Sequence, residues 1–132
     1  MATINSFEDL EIWQKAQELG ALIYKLSEEN IKINKDFSFK DQIKRAAISI
    51  SNNISEGFEY SNNNDFFRYL RISKGSCGEI RNCLLFSIKI NYCTPDEVSP
   101  LINFSKTLSS QIGGLMKYLK EKKLQASKTR NP

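Results

Sequence analysis

At 132 residues the chain has room for one domain with a real core, but not for two. Its 40% hydrophobic and 26% charged content is that of an ordinary soluble globular protein; no apolar run nears the ~18 residues of a membrane span, and no basic-then-apolar leader is visible. A cytoplasmic protein with no membrane partner is therefore expected. The chain has a net charge of +4 and no histidine, which excludes histidine acid–base catalysis, Ser-His-Asp or Cys-His nucleophiles and Cys/His zinc sites.

The first helix is expected to start at Ser6, with Asp9 completing a capping arrangement. Its apolar stripe is Ile12, Ala16, Leu19, Ile23 and Leu26, flanked by Trp13 and Gly20. That alternating spacing of four and three is the seam of near-parallel helix packing. Residues 30–37 read as a polar connection, and Ser38 with Asp41 as the cap of a second helix. The second helix sets Ile43, Ala47, Ile50 and Ile54 on one stripe. One residue back runs a polar stripe of Gln42, Arg45, Ser49, Asn53 and Glu56. Side chains at the border of a buried face need hydrogen-bond partners, so these five, with Glu79, are predicted to form a structural polar network. In it Arg45 or Gln42 would hold Glu79, Asn53 and Glu56 would tie down the next turn, and most of each side chain would lie between helices. Gly57 is expected to end the helix in the left-handed conformation.

After a turn over residues 58–63, a third helix spans about 64–90, with one stripe of Phe66, Leu70, Ser73, Cys77, Ile80 and Leu84. A second stripe, Ile72, Cys83, Phe86 and Ile90, lies about 120° away, more apolar surface than a single bundle core takes. With Phe58, Tyr60, Phe67, Phe104 and Tyr118 also outside the seams, self-association is expected. Thr94-Pro95-Asp96-Glu97 is a strong start signal for a fourth helix, which buries Val98, Leu101, Ile102, Leu108, Ile112, Leu115 and Leu119. Gly113-Gly114 marks a close approach or a weak point. The bundle domain is assigned to residues 1–121, and residues 122–132 to a basic, disordered tail. Short connections make neighbours antiparallel, so the fold class is all-α, an up-down-up-down four-helix bundle.

No enzyme activity, cofactor, metal or small-molecule substrate is expected. Glu56 and Glu79 fall several turns apart, and Gly75-Ser76-Cys77-Gly78 sits in helical sequence without the lysine of a phosphate loop. Cys77, Cys83 and Cys93 read as reduced core residues. Residues 1–36 carry four basic and seven acidic side chains, residues 37–93 eight and five, and residues 94–132 seven and three. The excess lies on outward stripes of the third helix (Arg68, Arg71, Lys74, Arg81) and the fourth (Lys106, Lys117, Lys120), continuing into Lys122, Lys123, Lys128 and Arg130. All but the last two are candidate nucleic-acid contacts, to phosphates.

Several of these residues carry a family resemblance. Gln42, Arg45-Ala46-Ala47, Ser49-Ile50, Asn53-Ile54 and Glu56-Gly57 resemble the signature of the 23S rRNA intervening-sequence protein family, also called the four helix bundle protein family. Phe7, Leu10, Trp13, Ala16 and Tyr24 upstream, and Phe66, Leu70, Gly75-Ser76 and Glu79 downstream, extend the likeness over roughly residues 7–120. The resemblance implies a small bacterial homopentamer, encoded in some bacteria within insertions in rRNA genes. It also implies kinship with the accessory protein of diversity-generating retroelements, which handles RNA beside a reverse transcriptase. Many relatives place a glycine and a basic residue soon after the Glu-Gly pair. Glu59 and Tyr60 stand there instead, followed by Asn62 to Asn64, which calls a basic RNA contact at that turn into question. The leading functional expectation is an oligomeric scaffold that binds RNA or DNA by backbone charge; the alternative is a protein–protein adaptor, for example to a polymerase or reverse transcriptase.

Overall fold

The computed structural model describes residues 4–130, with side chains through residue 122. A 3-10 turn (Phe7–Asp9) leads into α1 (Glu11–Glu29), then come α2 (Ile31–Lys35), α3 (Phe37–Glu59), α4 (Asn63–Lys89) and α5 (Pro95–Arg130). The described residues form no strand. None of their helices is long and apolar enough to cross a membrane.

The four long helices match the four periodic segments, and the stripes meet in one core. Ile12, Ala16, Leu19 and Ile23 of α1, Ile43, Ala47, Ile50 and Ile54 of α3, Leu70, Cys77, Ile80 and Leu84 of α4, and Val98, Leu108, Ile112 and Leu119 of α5 are all buried. Each large aliphatic side chain among them contributes about 1.5–3 kcal/mol by leaving water. On α3 and α4, neighbours pair rising with falling residue numbers: Gln42 with Glu79, Ser49 with Ser76, Ile50 with Ser73 and Gly57 with Tyr69. These two helices form a hairpin.

Helix starts depart from expectation in three places. Ser6 and Asp9 bracket only the 3-10 turn, and α1 begins at Glu11, after the extended backbone of Leu10. The cap of α3 is Asp36, whose Oδ1 accepts the Phe39 amide at 3.1 Å, and Ser38 lies inside the helix. Asp36 has the non-helical backbone angles of a cap and a charge suited to the helix start, so it takes this role in place of Ser38. The connection over residues 30–37 is not wholly irregular. Asn30 accepts the Ile33 amide at 3.0 Å and caps the single short helix α2, which seals Ile33 into the core. At the head of α5 the expected reciprocal cap is present, with Thr94 Oγ1 accepting the Glu97 amide (3.3 Å) and Glu97 the Thr94 amide (3.2 Å).

Gly57 requires a correction. No described glycine has a positive φ; Gly57 is helical and buried, α3 runs on to Glu59, and Ser61 (φ 59°) makes the left-handed bend. Gly57 is needed for a different reason: a Cβ there would lie 2.6 Å from the Tyr69 Cβ. α3 and α4 pass too closely for any side chain.

One end of the bundle is tied by polar groups. Tyr92, in the turn between α4 and α5, donates its hydroxyl to Asp36 Oδ2 (2.8 Å). Its carbonyl accepts from Asn30 Nδ2 (2.8 Å), and the Asn91 carbonyl accepts from Lys32 Nζ (2.8 Å). At the other end the α5 backbone continues helical to Arg130; of the segment assigned to a tail, the side chains from residue 123 onward lie outside the described residues.

Candidate nucleic-acid interface

The two flanks of α4 are chemically different. Toward α5, Arg71, Lys74, Gly78 and Arg81 recur at helical spacing along one face. On α5 the matching face is Lys106, Ser109, Gly113, Lys117 and Lys120. Lys74 joins the two faces. Its Nζ donates to Ser109 Oγ at 3.0 Å, and its stem crosses Gly113, where a Cβ would come within 3.2 Å of the Lys74 Cε. Gly113 thus makes room for a lysine rather than for a helix backbone. Gly75, Gly78 and Gly114 open onto free space.

Among the described residues, Arg71, Arg81, Lys106, Lys117 and Lys120 make no ion pair and no side-chain hydrogen bond. No acidic residue occurs on α5 between Glu97 and Glu121, and α4 has only Glu79 between Asp65 and its end. Glu79 faces the opposite flank. This groove therefore carries cations without internal counter-charges, which suits phosphate oxygens.

Three members of the predicted basic set stand apart. Arg68 pairs with Asp65 (2.9 Å) and lies 5.6 Å from the Tyr69 ring centre, on the α3 side of α4. The Lys122 ammonium lies 5.8 Å from the centre of the Tyr118 ring. The Lys123 side chain lies outside the described residues.

The polar stripe of α3 lies on the α3 flank of α4. Gln42 Nε2 donates to Glu79 Oε2 at 2.9 Å, so of the two candidate partners Gln42 holds Glu79. Arg45 does not: its side chain is 79% exposed and pairs with Asp41 one turn back at 2.8 Å. Asn53 donates to the Ser49 carbonyl (2.7 Å) and Oγ (2.9 Å) on its own helix, and among the described residues neither it nor the exposed Glu56 ties down the turn after α3 or the start of α4. Gln42, Arg45, Glu56 and Glu79 are all solvent-exposed in the single chain, contrary to the expectation that they lie between helices. The direction of each side chain, which the one-residue offset does not fix, is what differs.

The cross-helix ties inside the bundle are serines. Ser73 Oγ donates to the Ile50 carbonyl (2.7 Å), Ser76 Oγ to Ser49 Oγ (2.9 Å), and Gln17 reaches Ser51 Oγ (3.1 Å). A serine in the apolar seam, as at Ser73, was the available signal. Cys77, Cys83 and Cys93 are buried and unbridged, and burial pushes the Cys77 thiol up to about 12, leaving it protonated. No described group of three or more His, Cys, Asp or Glu side chains is placed to hold a metal.

A groove of about 480 Å³ lies on the same flank, lined by Asp36, Phe39, Gln42, Glu79, Phe86 and Ile90 among others. Phe39 and Phe86 stack at 6.5 Å, and Phe86 and Ile72 are about half exposed (51% and 48%). The second apolar stripe of α4 is thus left partly uncovered.

The sequence profile described as 23S rRNA-intervening sequence protein matches residues 8–114, which include α1, α3, α4 and the first half of α5. The chain belongs to that family. The chain is also similar in structure to a protein of unknown function from the S23 ribosomal protein family of Bacteroides thetaiotaomicron. The TM-score is 0.75 at 24% identity, covering 80% of this chain and 98% of the other. No curated protein matches it in sequence.

Proposed function

We propose that this protein is a non-enzymatic, oligomeric helical scaffold of the cytoplasm that binds RNA or DNA through backbone charge. The observation that supports this is the α4–α5 groove, where Arg71, Arg81, Lys106, Lys117 and Lys120 have no acidic partner among the described residues. Uncompensated cations on one face favour a polyanion with little regard to base sequence. The helices run alternately up and down, and copies associate through the flank of α4 that faces α3, where Ile72 and Phe86 are half exposed. Five copies is the number the family resemblance implies.

Binding of generic RNA and of duplex DNA across a salt series tests the first half. Retention at low ionic strength that falls steeply with salt is the expected result. No retention at low salt, with a protein partner co-purifying, would favour the adaptor reading. Sedimentation tests the second half. The wild type sediments as an oligomer at micromolar concentration, and Ile72→Asp with Phe86→Asp shifts it to smaller species with its helix content kept. A wild type that sediments as a monomer would sink the oligomer.

A further inference from the structure

One end of the cationic groove opens into a pocket of about 240 Å³, lined by Asn63, Asn64, Phe67, Leu119 and Lys120. It is smaller than the roughly 300–1,000 Å³ of pockets that enclose drug-sized ligands. Phe67 and Leu119 give it apolar walls, and Phe67 is half-buried. The neighbouring rings are already engaged: Phe58 packs on Phe66 at 5.8 Å and Tyr60 on Tyr69 at 5.3 Å. Among the described residues no aromatic ring stacks on Phe67. The exposed amides of Asn63 and Asn64 each offer both a donor and an acceptor, and Lys120 adds the charge.

We infer that this pocket takes one unstacked base of a single-stranded nucleic acid, whose flanking phosphates continue along the cationic groove. The inference rests on the polyanion reading above and narrows its ligand. A free base brings a flat apolar face for Phe67 and Leu119, and an edge of mixed donors and acceptors for the two asparagines. Because the amides serve either polarity, the seat accepts any base, as single-strand binders with aromatic platforms do. Lys120 belongs to the pocket and to the groove alike. Lys117 lies about one turn, or ~5 Å, back along α5, and Arg71 one turn beyond Phe67 on α4, so phosphates on either side of the seated base meet cations. A duplex keeps its bases stacked and offers this pocket nothing. It would engage only the lysines and arginines.

The test is fluorescence anisotropy at low salt with three labelled probes: a 20-mer of uridine RNA, the matching thymidine DNA, and a 20-base-pair duplex. Phe67→Leu keeps an apolar filling at a half-buried position and removes the aromatic face. It should weaken binding of the single strands about tenfold, in keeping with the loss of one stacked base, and leave duplex affinity within about twofold. The unchanged duplex affinity also reports that the variant is folded. Asn63→Ala with Asn64→Ala, at exposed positions, should give a smaller loss with the same preference. A selective loss with Phe67→Leu for both single strands, or for one of them, supports the pocket and shows which sugar it accepts. If Phe67→Leu leaves single-strand affinity unchanged, or lowers single-strand and duplex affinity equally, the base seat is overturned while the polyanion reading stands. If the wild type retains none of the three probes, both fail together.

Discussion

Gly57 and Tyr69 meet where α3 and α4 cross so closely that a methyl group on Gly57 would lie 2.6 Å from the Tyr69 Cβ. A spacing that short demands a shift of backbone, because Cβ atoms have no rotamer through which to escape. Alanine is the better helix former by about 1 kcal/mol, yet overpacking a closed interface between helices costs about 1–3 kcal/mol. Gly57→Ala should therefore destabilise the protein on balance, and Gly57→Asn more so. The order matters, since asparagine is the best substitute for glycine at a left-handed helix end. Urea denaturation in which Gly57→Asn is milder than Gly57→Ala would restore the helix-end role.

The relation of Gln42 to Glu79 yields a second expectation. The two are hydrogen-bonded at 2.9 Å, whereas Arg45 points away to Asp41. A double-mutant cycle on Gln42→Ala and Glu79→Ala should return a coupling of about 0.5–1 kcal/mol, the scale of an exposed hydrogen bond. The cycle on Arg45→Ala and Glu79→Ala should return none within error. Coupling of Arg45 to Glu79 by more than about 1 kcal/mol would contradict the geometry.

What could be read from the sequence was governed by period. Ile12, Ala16, Leu19 and Ile23 are buried as their spacing implied, because a stripe of a helix has only one direction in which to leave water. Thr94 and Glu97 were readable because their reciprocal bonds are local. Asp36 and Ser38 are both competent caps two residues apart, and only the backbone angles decide between them. Gly57 offered two roles, and the one it fills depends on Tyr69, twelve residues away on another helix. Arg45 has a long, flexible side chain at the edge of a stripe, where position on the helix does not fix where the charge goes. The basic candidates divided for a similar reason: Arg68 lies one turn before Arg71, but Asp65 is within its reach and pairs with it.

The Asp36–Tyr92 hydrogen bond predicts a decline in stability at both ends of the pH range. The Phe39 amide, and after it the Tyr92 hydroxyl, holds the Asp36 carboxyl below the usual aspartate value. Its stabilisation is therefore present above about pH 4, the unfolded value, and is lost as pH falls through the lower folded value. The hydrogen bond to Asp36 raises the Tyr92 hydroxyl, so its share is intact below about pH 10 and is lost as pH rises through the folded value. Asp36→Asn should flatten the acid limb of a melting-temperature profile, and Tyr92→Phe should flatten both limbs. Some acid slope should remain in either variant, since the Glu28 carboxyl is also lowered by its bond to Lys44. An acid limb unchanged in Asp36→Asn would place the linkage elsewhere.

The most direct test of the cationic groove is the slope of log affinity for RNA against log salt concentration. It should be measured for the wild type and for a variant with Arg71, Arg81, Lys106, Lys117 and Lys120 all changed to Gln. Each phosphate left without its cation should reduce the steepness by about 0.7 for a single strand. The side chains concerned are unpaired among the described residues, so the melting temperature should hold. A shallower slope with weaker low-salt binding is the predicted result. A variant with the wild-type slope and affinity would contradict the account.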